Sequence, residues 1–97
     1  MMAMRALDEA IEIVGAAELA RGLRVAVNTP SMWRERGSVP MRHRPGIEQL
    51  TGGRIAVERF GADVAWVRVS DPKWPHRRGR PLADFSHATA RRGGGTR

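Results

Sequence analysis

Between Ala16 and Gly37 the chain reads AAELARGLRVAVNTPSMWRERG, and this stretch constrains the fold most tightly. Leu19, Ala20, Leu23, Val25, Pro30 and Trp33 are apolar or small, and their spacing turns them inward from two short helices joined by a tight turn. The first helix is expected over Ala16–Leu23, with Ala20 small enough to let helix backbones approach closely. Arg24-Val25-Ala26 supplies the turn, Val27–Arg36 the second helix, and Gly37 a left-handed stop. Proline is poorly tolerated inside a helix, so Pro30 conflicts with this span. The conflict disappears if the helix begins late, with Thr29 as N-cap and Pro30 as first helical residue. The helix is then about two turns long and follows a stretched Arg24–Asn28 loop.

The flanking chain has to supply a core. Leu7, Ala10, Ile11 and Val14 fall at i, i+3, i+4 and i+7, one face of a helix over Ala6–Val14 that Gly15 ends. Ser38-Val39-Pro40 is extended, because a residue before proline avoids the helical region. Pro40 opens another turn, and Pro45 starts a helix that turns Ile47 and Leu50 inward before Gly52-Gly53. A last short helix at Val57–Phe60 brings Ile55, Val57 and Phe60 to the core. The fold class expected is mainly α: a compact bundle of about five short helices over residues 5–61, then a short C-terminal β-strand and a disordered tail.

Past Gly61 the character changes. Val64–Val69 is rich in β-branched and aromatic residues and reads as one strand. A lone strand leaves its backbone groups unpaired, so its partner is either the same strand of a second subunit or the returning segment Arg80–Phe85. Residues 62–85 thus form a strand and Pro-rich extension, a candidate dimer or partner contact. Residues 86–97 form a basic tail with little to bury, expected to be disordered.

Charge is distributed unevenly along the 97 residues, whose formal net charge is +7. Residues 1–20 hold one Arg against four acids, whereas residues 21–46 hold six Arg against one Glu. The second basic concentration lies beyond residue 70. A polyanionic partner is implied, met by the segment that carries the helix pair. Cysteine is absent, which removes disulfides, thiolate metal sites and thiol catalysis. No apolar run approaches the ~18–20 residues a membrane span requires, and the N-terminal stretch lacks a signal-peptide plan. A cytoplasmic protein is expected, with no membrane partner.

Residues 7–60 resemble the Cro/YdaS-type helix-turn-helix regulators of prophages and bacterial genomes. The resemblance is carried by Ala20, Leu23, Val25, Ser31, Trp33-Arg34, Gly37, Val39-Pro40, Ile47-Glu48 and Thr51-Gly52-Gly53. It implies a phage-repressor-like fold, double-stranded DNA as partner, and a homodimer on a pseudo-palindromic operator. Repression of its own or a neighbouring operon is the function implied, by a nucleoid-associated protein of bacterial or phage origin. Three positions depart from the pattern: Arg24 stands where the family commonly has Gly, Ala26 where a Ser or Thr N-cap is usual, and Pro30 where Val is usual. Arg24 then needs a left-handed geometry or a remodelled turn.

For base contact, the exposed positions early in the second helix of the pair are the candidates: Val27, Asn28, Thr29, Ser31 and Met32. Asn28 matches adenine bidentately, Ser31 donates or accepts, and Val27 or Met32 packs on a thymine methyl. Arg21, Arg24, Arg34, Arg36, Arg42 and Arg44 are the phosphate candidates, giving affinity rather than specificity. Trp33 belongs to the inward set and is expected in the core. Catalysis has no residues to stand on, since His43, His76 and His87 are scattered and Ser31, Ser38 and Ser86 lack His/Asp partners. No catalytic residue, cofactor or metal is expected. The alternative is an antitoxin or anti-repressor, a protein-interaction module that keeps the helical scaffold and uses residues 62–85 to bind its partner.

Overall fold

The first helix is longer than its apolar spacing requires. In the computed structural model, which describes residues 2–84 and side chains from residue 5 onward, α1 spans Met2–Val14. Ala6, Leu7 and Ala10 are fully buried, with Ile11 and Val14 packed at the edge of the same cluster. Helices α2 (Ala16–Leu23), α3 (Thr29–Arg36) and α4 (Arg44–Leu50) follow, with short 3-10 turns at Met41–His43 and Val57–Phe60. Among the described residues the protein is mainly helical, completed by one antiparallel hairpin of β1 (Trp66–Val69) and β2 (Arg80–Ala83). No helix among them is long and apolar enough to cross a membrane.

The core is assembled from every helix. Leu7, Leu19, Trp33, Val39, Ile47, Ile55 and Phe60 meet in one cluster, against which Leu23 and Val25 pack partly buried. Helices α2 and α4 approach closely at two glycines. A Cβ on Gly22 would lie 2.7 Å from the Leu50 methyl carbons, and one on Gly46 would lie 2.5 Å from Leu23 Cδ2. The sequence places Leu50 inward, but it is 36% exposed: it lies over Gly22 at the rim of the cluster. Pro45 is the second helical residue of α4 rather than the first, because Arg44 continues directly from the preceding 3-10 turn.

The strand pairs within the chain. Trp66 stands opposite Ala83, Val67 opposite Leu82, Arg68 opposite Pro81 and Val69 opposite Arg80. Of the two partners the sequence leaves open, the returning segment is the one observed, and Asp84 N–H extends the pairing by donating to the Ala65 carbonyl at 2.7 Å. The expected strand starts later than Val64, at Trp66. Phe85 and the tail at residues 86–97 lie outside the described residues.

A buried ionic cluster fastens this hairpin to α4. Glu48 has no solvent exposure, yet its carboxylate accepts from Arg68 Nη1 (2.6 Å) and Nη2 (2.8 Å), from Trp74 Nε1 (2.6 Å) and from the Val57 amide (2.9 Å). Arg68 donates further to Glu58 Oε1 at 2.7 Å and to the Gly79 carbonyl at 2.8 Å. A buried carboxylate is costly unless fully hydrogen-bonded. Burial works against the Glu48 charge, but the bonds from Arg68, Trp74 and Val57 outweigh it and hold the carboxyl below its ordinary value. Gly79 is held in place by the hairpin itself. Its φ is +99°, and a Cβ there would collide with the Val69 carbonyl oxygen.

Candidate nucleic-acid interface

The turn between α2 and α3 is built around Arg24, the one non-glycine residue with positive φ among those described. At φ 60°, ψ 44° it sits in the left-handed region and closes α2, its N–H donating to the Ala20 and Arg21 carbonyls. Val25 N–H also donates to the Ala20 carbonyl, at 3.0 Å. Of the two geometries open to Arg24, the left-handed one is adopted. Most L-residues avoid this region because Cβ crowds the neighbouring carbonyl oxygen, at a cost of about 1–2 kcal/mol.

Helix α3 begins late, though one residue earlier than the capping pattern suggests. Asn28 rather than Thr29 is the N-cap, and Pro30 occupies the second helical position. The full span Val27–Arg36 is therefore not helical. Pro30 has no amide hydrogen, and the first turn of a helix needs none there, so its position is unstrained. No side chain caps this end. Val27 and Asn28 lie in the turn before the helix rather than on it.

One side of α3 is sunk into the core through Pro30 and Trp33, the latter 3% exposed. The Trp33 ring lies against His43, centroids 5.2 Å apart. Burial, then the charge of Arg42, holds His43 below its ordinary pKa. Ser31 and Met32 on the helix, and Val27 and Asn28 in the turn before it, are exposed to solvent, with Thr29 half-buried between them. Val27 is 67% and Met32 45% exposed, high values for apolar side chains. Four of the five base-contact candidates are thus exposed at or just before the start of α3.

The six phosphate candidates separate. Arg24 and Arg36 are exposed and make no side-chain hydrogen bond or ion pair among the described residues. Arg21 pairs with Glu18 at 3.0 Å on the surface of α2, and Arg34 Nε pairs with Asp8 of α1 at 2.9 Å. Arg42 is exposed and donates to His43 Nε2 at 3.4 Å. Arg44 is a correction. It is 3% exposed, its Nε donates to the Val39 carbonyl at 2.8 Å, and its guanidinium grips Asp63 bidentately at 2.9 and 3.1 Å. A guanidinium so enclosed is structural and cannot reach a phosphate.

Residue spacing does not disclose the Glu48–Arg68–Trp74 cluster. The available signal is an acid set beside Ile47 on a core-facing helix and a base in the middle of an apolar strand. Neither specifies a partner some twenty residues away. No group of His, Asp or Glu among the described residues could hold a metal ion. No family model, curated protein or solved structure matches the chain.

Proposed function

We propose that the protein is a small sequence-reading DNA-binding regulator of the helix-turn-helix kind, in which α3 enters the major groove and acts as the recognition helix. The observation that carries this reading is the two-sided character of α3: Pro30 and Trp33 are buried while Val27, Asn28, Ser31 and Met32 stand exposed at its start. Free side chains on a helix anchored from behind suit the reading of base edges. Asn28 offers a bidentate match to adenine, Ser31 one hydrogen bond, and Val27 and Met32 apolar contact for thymine methyls. Arg24 and Arg36 lie before and after this segment without side-chain partners among the described residues, and Arg21, Arg34 and Arg42 are exposed enough to exchange theirs for phosphate. On this reading the protein dimerises and represses its own or a neighbouring operon.

Binding of labelled duplexes that tile the chain's own upstream region tests the proposal. One fragment should be retained at low salt and should resist excess unrelated duplex. Failure to retain any fragment, or equal competition by unrelated DNA, contradicts it.

A second reading is favoured by the hairpin, whose outer face carries Val67, Val69 and Leu82, each more than 40% exposed. An exposed apolar strip on an anchored hairpin suits a protein partner, as in an antitoxin or anti-repressor. Co-purification of a neighbouring gene product that DNA fails to displace would select this reading.

A further inference from the structure

A cleft of about 740 Å³ opens between α1, the Val57–Phe60 turn and the approach to β1, with no residue of α3 in its lining. Its volume is within the usual range for small-molecule sites. The walls are of two kinds. Val64, Ala62 and the Trp66 indole give an apolar side, while Arg5, Glu9, Glu58 and Arg59 give a charged rim.

Most of that rim is satisfied internally. Glu9 grips Arg59 through two hydrogen bonds of 2.7 and 2.8 Å, and Glu58 is held by Arg68 from beneath. Arg5 is the exception. It contributes a field at Glu9 but makes no hydrogen bond or short ion pair among the described residues. Trp66 Nε1 is buried and has no acceptor, the one such side-chain atom among the described residues. A buried donor without a partner costs about 1–3 kcal/mol.

We infer that this cleft is a binding site for a small amphipathic organic anion, an aryl carboxylate in class, with its carboxylate on Arg5 and its ring against Val64 and Trp66. The open guanidinium selects the charge, because a carboxylate accepts two parallel N–H bonds that a neutral amide cannot match. The apolar wall selects a flat hydrocarbon body. The Trp66 indole forms part of that wall and so reports its occupancy.

The test follows the three tryptophan indole N–H resonances of the full chain by ¹⁵N-correlated NMR during titration with naphthalene-1-acetate. Naphthalene-1-acetamide, its neutral counterpart, serves as the comparison at matched ionic strength. The Trp66 signal should move saturably with the acid while those of Trp33 and Trp74 stay fixed, and the amide should bind roughly tenfold more weakly. Arg5→Gln should reduce the acid to the affinity of the amide without lowering the melting temperature. An unmoved Trp66 signal, equal affinity for acid and amide, or discrimination that survives Arg5→Gln would each overturn the inference. None of these outcomes depends on whether the protein binds DNA.

Discussion

Asn28 and Arg34 stand six residues apart on either side of Trp33, and the chemistry assigned to them differs in kind. On the proposed reading, an amide at the exposed start of α3 would discriminate between bases, whereas a guanidinium beyond it would contribute charge. Asn28→Ala should therefore relax base preference at one operator position by about 1–3 kcal/mol. Arg34→Ala should weaken binding to all sequences and lower the salt slope by about one. Quantitative binding to an operator and its single-base variants, at several salt concentrations, separates the two effects. Uniform loss for Asn28→Ala would remove it from the reading edge. Arg24 carries a different kind of information. Its left-handed backbone is one that glycine adopts without strain, so Arg24→Gly should relieve strain on the order of 1 kcal/mol and raise the melting temperature by several degrees. A lower melting temperature would mean that the arginine side chain earns its place through contacts rather than tolerating the turn.

At the scale of elements, α2 and the Val57–Phe60 turn were legible in full because short-range signals define them: apolar spacing, and glycine or proline at the ends. The start of α3 was legible only to within a residue, since Asn28 and Thr29 are both acceptable N-caps and the choice depends on how Pro30 packs. Leu50 was misplaced for a related reason. Its spacing from Ile47 suits an inward face, but α4 is short and Gly22 receives the side chain at the rim. Arg44 shows the limit for charged groups: sequence shows six arginines in one basic segment, and only the fold distinguishes the one that Val39 and Asp63 enclose. The bridge between α1 and α3 supplies a prediction of its own. Asp8 holds Arg34 at 2.9 Å, so Asp8→Asn should free the guanidinium and strengthen binding to any duplex several-fold at low salt. Glu12→Gln removes the same charge from α1 without a hydrogen-bonded arginine and should do less. Equal gains from both variants would reduce the effect to net charge.

Across the whole molecule, the hairpin and the helical part behave as one unit because Glu48, Arg68 and Trp74 join them. Glu48→Gln breaks the charged centre of this cluster and should destabilise the protein by on the order of 3 kcal/mol in denaturant unfolding. The same cluster sets the response to acid. Glu48 is held below its ordinary pKa with burial opposed by Arg68, Trp74 and Val57; Asp63 by hydrogen bonding to Arg44; and Glu9 by hydrogen bonding to Arg59. A carboxyl whose folded pKa is depressed stabilises the fold above its unfolded pKa and loses that contribution as pH falls through the folded value. Stability should accordingly fall slightly as pH drops through the ordinary histidine range at about 6.5, because His43 resists protonation in the fold, and decline further below about pH 5 as the carboxyls protonate, less steeply there in Glu48→Gln. A profile unchanged by that substitution would contradict the assignment. These pairings join residues 19 to 50 positions apart, a separation at which sequence pattern carries no pairing information.

The central claim, that α3 reads DNA sequence, is tested most directly by selecting bound duplexes from a random pool with the full chain. The account predicts enrichment of one motif with two-fold related halves, centred about one helical turn, ~10 base pairs, apart. Retention of duplexes with no enriched sequence, lost uniformly as salt is raised, would contradict it and leave only charge-driven binding.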